Sequence, residues 1–251
     1  MINYEEALHI AERFAAGVAD ICGDKLLAVY AIGSLGSDYY RPGQSDIDTA
    51  VITGFSREEL APYAEKIEAL ADEYWKKYSV PKGFGAIVFA KEQLFPPYRK
   101  YEELILEIMR LKTQSRLVWG GFDLSAVPFP GKDAIIEDAC AFEEWAASER
   151  EKDPDFGVSS IVMLVNSTLM ILKRYLMIRH DIVEFNKFKV IGLYLEHEPP
   201  FVNDEVFDFI EVSLHSRLTE KEKNDRKKLA RMIKWHDEIY GKIDELLGIH
   251  A

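Results

Sequence analysis

Cysteine is scarce in this chain of 251 residues, which holds only Cys22 and Cys140. Two cysteines without metal-ligand spacing argue against a disulfide framework or a cysteine zinc site, and they read as buried structural thiols. Long hydrophobic runs are missing too. A membrane span needs roughly 20 consecutive apolar residues, and the most apolar stretch, 161–165, is broken at once by Asn166 and Ser167, then by Lys173. The opening MINYEEALHI lacks the basic-then-apolar pattern of a signal peptide, so a cytoplasmic location and no membrane partner are expected. Positive charge is also short: 31 Lys and Arg face 43 Asp and Glu, for a formal net charge of −12. Such a surface repels phosphate backbones and disfavours nucleic acid as a partner, while it suits a cationic small molecule. The histidines (His9, His180, His197, His215, His236 and His250) are scattered, none at metal-binding spacing from another His or Cys, and read as surface or core positions.

What is present divides into two halves. Asn3 with Glu6 three residues on makes a capping arrangement, and Ala7, Ile10, Phe14, Val18 and Ile21 repeat on one helical face up to a glycine stop at Gly23. An apolar strand, 26–32, follows and ends in Gly33-Ser34. A turn-rich segment leads to a second strand over 46–52, and Ser56 with Glu59 caps a helix running to Tyr78. A third strand, 83–89, closes an αββαβ unit, read as a small mixed sheet covered by helices. Beyond Pro96-Pro97 a helix is expected over 98–115, then a short extended piece, 117–119. The Pro- and Gly-rich loop 125–131 marks a boundary between domains 1–127 and 128–251. The second domain reads as all-helical, with helices near 133–151, 157–181, 187–197, 203–216 and 219–247. The fold class is therefore α+β: an α/β head and a helical tail, with a site expected between them. Oligomeric state has no signature here.

The chemistry concentrates in residues 33–48, GSLGSDYYRPGQSDID. Side chains alternate along a strand, so Asp46 and Asp48 share a face and lie about 7 Å apart. Two carboxylates on one patch cost stability unless a cation compensates them, and Mg²⁺ takes such hard oxygen ligands together with substrate phosphates. A pair of ions about 3.5–4 Å apart can hold both the attacking and leaving oxygens of an in-line displacement. Glycine at 33 lets the backbone approach a phosphate closely, and the Ser34 hydroxyl can donate to it. No Gly-Lys-Ser/Thr follows, so this is not a P-loop. Ile32 stands where a nucleophile elbow needs glycine.

These residues resemble the Gly-Ser…Asp-x-Asp signature of the polymerase-β-like nucleotidyltransferase superfamily. The wider chain is similar to the aminoglycoside adenylyltransferases that act on streptomycin or spectinomycin. Arg41-Pro42-Gly43-Gln44-Ser45-Asp46 is similar to that family's approach to its metal site, and 117–128 to its crossing into a helical domain. Leu172-Lys173-Arg174 and Asn186-Lys187 are similar to its phosphate-holding arginine and lysine. The resemblance implies that Asp46 and Asp48 bind Mg²⁺, two ions in all, and that Gly33, Ser34, Arg41, Arg174 and Lys187 hold ATP. It implies transfer of AMP to a hydroxyl of a small molecule, an aminoglycoside, as in antibiotic resistance.

One departure stands out. The third strand should carry a further carboxylate, a general base or metal ligand, yet Gly83-Phe84-Gly85-Ala86-Ile87-Val88-Phe89 has none. Glu92, Glu102 or Glu103 are the nearest acids, and Glu149, Glu151, Asp153 or Asp155 could serve from the helical half. The alternative is a catalytically reduced, nucleotide-binding or regulatory protein.

Overall fold

The computed structural model describes residues 1–37, 39–99, 104–152 and 161–197, with isolated helical positions at 234, 241 and 245. The expected helix over 203–216 lies outside the described residues, as does that over 219–247 apart from those three positions. The chain divides into two compact units, Met1–Pro130 and Gly131–Ala251.

In the first unit, helix α1 (Tyr4–Cys22) begins where Asn3 accepts from the Glu6 amide and the Glu6 carboxylate accepts from the Asn3 amide, both at 2.9 Å. That box satisfies two donors that a helix start otherwise leaves bare. Strand β1 (Leu26–Ile32) runs into a single helical turn, α2 (Gly33–Gly36), and strand β2 (Ile47–Thr53) follows. Helix α3 (Arg57–Tyr78) starts from a second box built on Ser56 and Glu59. Strand β3 (Phe84–Ala90), helix α4 (Ile105–Thr113) and strand β4 (Ser115–Gly120) complete the unit.

The sheet order is β3-β2-β1-β4. β1 is antiparallel to both β2 and β4, whereas β2 and β3 are parallel, their connection being α3. The piece expected merely to cross towards the helical half is thus a full fourth strand, and the sheet is not closed by the third. Helix α4 is correspondingly shorter than the expected 98–115, because Leu104 (φ −88°, ψ 74°) is not helical.

Both faces of the sheet are covered, so β2 is buried almost throughout. One face packs Ile47 and Val51 with Phe14 of α1 and Ile67 of α3. There the rings of Phe14 and Phe84 lie 4.7 Å apart, and Tyr74 stands edge-on to Phe14 at 5.6 Å. The opposite face packs Ala50 and Ile52 with Ile108 and Leu111 of α4. Two threonines are wholly buried in β2, and each is satisfied by a β3 carbonyl: Thr49 donates to Gly85 and Thr53 to Phe89, at 3.0 Å. Cys22 is buried and Cys140 half-buried, and among the described residues neither is in a disulfide. Burial pushes the Cys22 thiol up from its ordinary pKa.

The second unit contains helices α5 (Lys132–Lys152), α6 (Ile161–His180) and α7 (Lys187–His197). Leu169, Leu172, Tyr175 and Leu176 of α6 are buried, as are Val190 and Tyr194 of α7. Among the described residues no helix is long and apolar enough to cross a membrane.

Each capping box predicts a measurable loss. Asn3→Ala and Ser56→Ala should each lower stability by about 1 kcal/mol in urea denaturation, with the slope unchanged; no loss would mean that solvent satisfies those amides equally well.

Candidate active site

The site forms where β1 ends and β2 begins. Asp48, the second residue of β2, is paired with Ile32 on one side and Gly85 on the other. Its neighbours Ile47 and Thr49 point into the α1–α3 core, so Asp48 heads the row Asp48, Ala50, Ile52 on the α4 face. Asp46 stands immediately before the strand. Burial pushes the Tyr40 phenol up in pKa, and the Asp46 carboxylate adds to that shift, with Glu6 adding further.

Gly33 begins α2 with φ of +64°, a conformation that only glycine adopts without strain. Its amide donates to the Gln114 carbonyl at 3.1 Å, which ties the turn to the residue before β4. The amide being engaged, the donor this turn offers a ligand is Ser34. Its hydroxyl is buried and makes no hydrogen bond with any described residue. An orphaned buried hydroxyl costs about 1–3 kcal/mol, and an incoming acceptor, such as a phosphate oxygen, would remove the cost.

Two residues not singled out in the sequence dominate the electrostatics. Arg110 of α4 reaches across the face, with Nη2 at 2.6 Å from Asp48 Oδ2 and Nη1 at 3.2 Å from Glu107 Oε2. Burial works against the Arg110 charge, yet Glu107 and Asp48 together hold its pKa above the ordinary value. The same guanidinium covers Gly33: a Cβ there would lie 2.0 Å from Nη2. The Glu107–Arg110 spacing of three on a helix was the available signal, but nothing local tied it to Asp48, 62 residues away.

The missing carboxylate of β3 has a structural counterpart. Gly85 is the β3 residue beside Asp48, and a Cβ on it would stand 2.9 Å from Asp48 Oδ1. Glu92 does not fill the gap. Its carboxylate accepts from the Arg57 amide at 3.0 Å and sits 3.7 Å from Arg57 Nε, at the start of α3. Glu102, Glu103, Asp153 and Asp155 lie outside the described residues, as do the side chains of Glu149 and Glu151. Among the described residues no group of three or more His, Cys, Asp or Glu converges on a metal position. Mg²⁺ does not need one, since it usually takes one or two carboxylates plus phosphates and water. Asp46 and Asp48 supply suitable hard oxygens, and the bare Ser34 hydroxyl fits the phosphate that would complete the shell.

Arg41 is exposed, and its carbonyl accepts the Gln44 and Ser45 amides in the turn that delivers Asp46. In the second unit, Arg174 is 4% exposed, pairs through Nε with Asp138 at 2.7 Å and lies 4.6 Å over the Phe142 ring. Its guanidinium is therefore engaged within its own unit. Lys187 is exposed at the start of α7. His180 and His197, remote in sequence, bring their rings to 4.8 Å, without a third ligand among the described residues.

No protein-family profile matches the sequence, and no curated protein matches it. In three dimensions the chain is similar to spectinomycin adenyltransferase AAD(9) from Enterococcus faecialis, solved with ATP and spectinomycin. The TM-score is 0.60 at 15% identity, over 90% of this chain and 96% of that one. The two chains share a fold. Two toxin–antitoxin structures also match, one with AMP-PNP and one of a tri-AMPylated Shewanella oneidensis HEPN toxin with its MNT antitoxin. They share 16% and 15% identity, cover 57% and 59% of this chain and 95% and 96% of theirs, and have TM-scores of 0.29 and 0.27. Overlaps that low add nothing to the assignment.

Crowding at Gly33 can be separated from backbone strain. Gly23 also has positive φ (+58°), but a Cβ there meets nothing within 4 Å. Gly23→Ala should cost the strain of its own glycine-favoured backbone (φ +58°, ψ −135°), about 1–3 kcal/mol. Gly33→Ala should cost its backbone strain plus the displacement of Arg110 from Asp48, and so should cost less in an Arg110→Ala background in the same urea titration; an equal loss in both backgrounds would mean that Arg110 does not lie over the turn.

Proposed function

We propose that this chain is a Mg²⁺-dependent nucleotidyltransferase that moves AMP from ATP to a hydroxyl of a small molecule, an aminoglycoside being the acceptor class. The observation that carries the reading is the buried, unpartnered Ser34 hydroxyl in the turn that follows β1, whose last residue, Ile32, pairs with Asp48 of β2. A phosphate donor and two hard-oxygen ligands on adjacent strand ends are what a metal–triphosphate complex requires. AAD(9), of similar fold, was solved with ATP and spectinomycin. The net charge of −12 suits a polycationic acceptor.

In this reaction the acceptor hydroxyl oxygen bonds to the α-phosphorus, the bond from that phosphorus to the β-bridging oxygen breaks, and pyrophosphate leaves. The hydroxyl proton passes to base or solvent. Bound Mg²⁺, two ions in the full assembly, would supply charge neutralisation at the reacting phosphate. Asp46 and Asp48 would hold and orient it, Ser34 would donate to a phosphate oxygen, and the lack of a side chain at Gly33 would let that phosphate approach the backbone. Arg41 and Lys187 are the exposed cations assigned to the triphosphate. Arg174, paired with Asp138, would have to exchange that partner to join them.

A second reading has its own support. With glycine at 85, the third strand offers no base beside Asp48, so the chain could bind nucleotide and regulate rather than turn over. General-base help is worth about 10²–10⁴ in rate.

Calorimetric titration with ATP, with and without Mg²⁺, tests the shared premise. Wild type should bind in a Mg²⁺-dependent manner, and an Asp46→Asn, Asp48→Asn double variant should lose that dependence. Failure of wild type to bind any nucleotide would end both readings. Mg²⁺-dependent pyrophosphate release on adding aminoglycosides then separates transferase from binding protein.

A further inference from the structure

We propose that Arg110 is a place-holding cation: it occupies Asp48 in the empty site and passes to the triphosphate when nucleotide arrives, so that nucleotide and divalent metal promote each other's entry. The inference rests on the nucleotide site proposed above.

Three features carry it. One guanidinium bridges two carboxylates, Asp48 at 2.6 Å and Glu107 at 3.2 Å, and so neutralises a patch that would otherwise repel itself. Its Nη2 lies directly over Gly33, the residue before Ser34, whose buried hydroxyl lacks a partner, so it stands over the turn at which the phosphate is proposed to bind. The oxygen it holds, Asp48 Oδ2, belongs to a carboxylate whose other oxygen faces Gly85. A divalent cation at Asp48 must therefore share that carboxylate with a fixed positive charge, which is unfavourable at such range.

A triphosphate resolves the conflict. Its oxygens match the planar fork of the guanidinium better than a single carboxylate oxygen does, and charge-assisted pairs of that kind are strong. Glu107 can keep Nη1 while Nη2 turns to the phosphate, freeing Asp48 for metal. Whatever nucleotide does for metal affinity, metal must then do equally for nucleotide affinity. Arg110 is in this sense a positioning residue for Asp48 and a binding residue for phosphate.

The experiment uses the full chain and needs no acceptor. Mn²⁺ binding to nucleotide-free protein is followed by electron paramagnetic resonance, and ATP binding in EDTA by calorimetry, for wild type, Arg110→Gln and Arg110→Lys. Removing the charge should tighten Mn²⁺ about tenfold without nucleotide and weaken metal-free ATP by a similar factor, within the usual range of coupling between sites. Lysine keeps the charge but loses the fork, so Mn²⁺ affinity should stay near wild type while ATP weakens several-fold. Circular dichroism checks that each variant is folded. If Arg110→Gln does not fold, Arg110→Lys decides, and unchanged ATP affinity in it overturns the proposal. Unchanged or weaker Mn²⁺ binding in folded Arg110→Gln overturns it too, while leaving the nucleotide site standing if wild type binds Mn²⁺ and ATP together. Wild type that binds neither ATP nor ATP with Mn²⁺ removes the nucleotide site and this inference with it.

Discussion

The register of β2 between its two neighbours is the constraint on which the site depends. Pairing Asp48 with Ile32 sets it at the level where β1 gives way to Gly33, and pairing it with Gly85 gives its carboxylate the room that a side chain there would take. That register is held by burial on both faces. Ile47 and Val51 belong to one core and Ala50 and Ile52 to the other, so a slip of one residue would drive Asp48 into the packing around Phe14. The threonines at 49 and 53 reinforce it with hydrogen bonds into β3. Hydrophobic patterning along seven residues thus fixes a carboxylate to the depth that the chemistry needs.

Charge compensation is the second organising term. An acidic pair cannot stand uncompensated in a partly buried place, and the protein answers with its own cation before any ligand is considered. Arg110 keeps its charge despite burial because two carboxylates surround it. Glycine at 33 and glycine at 85 give that arrangement its room, one beneath the guanidinium and one beside the carboxylate.

What could be read from the sequence followed from how local each signal was. The starts of α1 and α3 were legible because a capping box spans four consecutive residues. β1 was legible as an apolar run closed by glycine, and the Asp-x-Asp alternation followed from strand geometry alone. β4 was not recognised as a strand of the sheet, since its partners lie far upstream in β1 and Leu117 (47% exposed) and Trp119 (36%) offer no continuous apolar pattern. Arg110 and Glu107 escaped notice for the same reason: their importance comes from a contact across the sheet face. Arg174 shows the converse. A Lys-Arg pair on a helix reads as available charge, and only the fold reveals Asp138, 36 residues earlier, as the partner of that arginine.

The pairing of the first strand with the last has a consequence for how the protein is made. Tyr30 of β1 donates its hydroxyl to the Phe122 carbonyl, 92 residues downstream. On a ribosome adding about 5–20 residues per second, β1 waits roughly five to twenty seconds for that neighbour. Until α4 and β4 emerge, one edge of β1 is unpaired and the apolar side of β2 that α4 will cover is bare, an invitation to association with other chains or capture by a chaperone. Gly33 meanwhile lacks the Gln114 carbonyl that pins it, and Asp48 lacks its arginine. The candidate site therefore assembles only once α4 and β4 have been made, and a stalled or truncated product ending before residue 105 would carry Gly33-Ser34 and Asp46-Ile47-Asp48 without it.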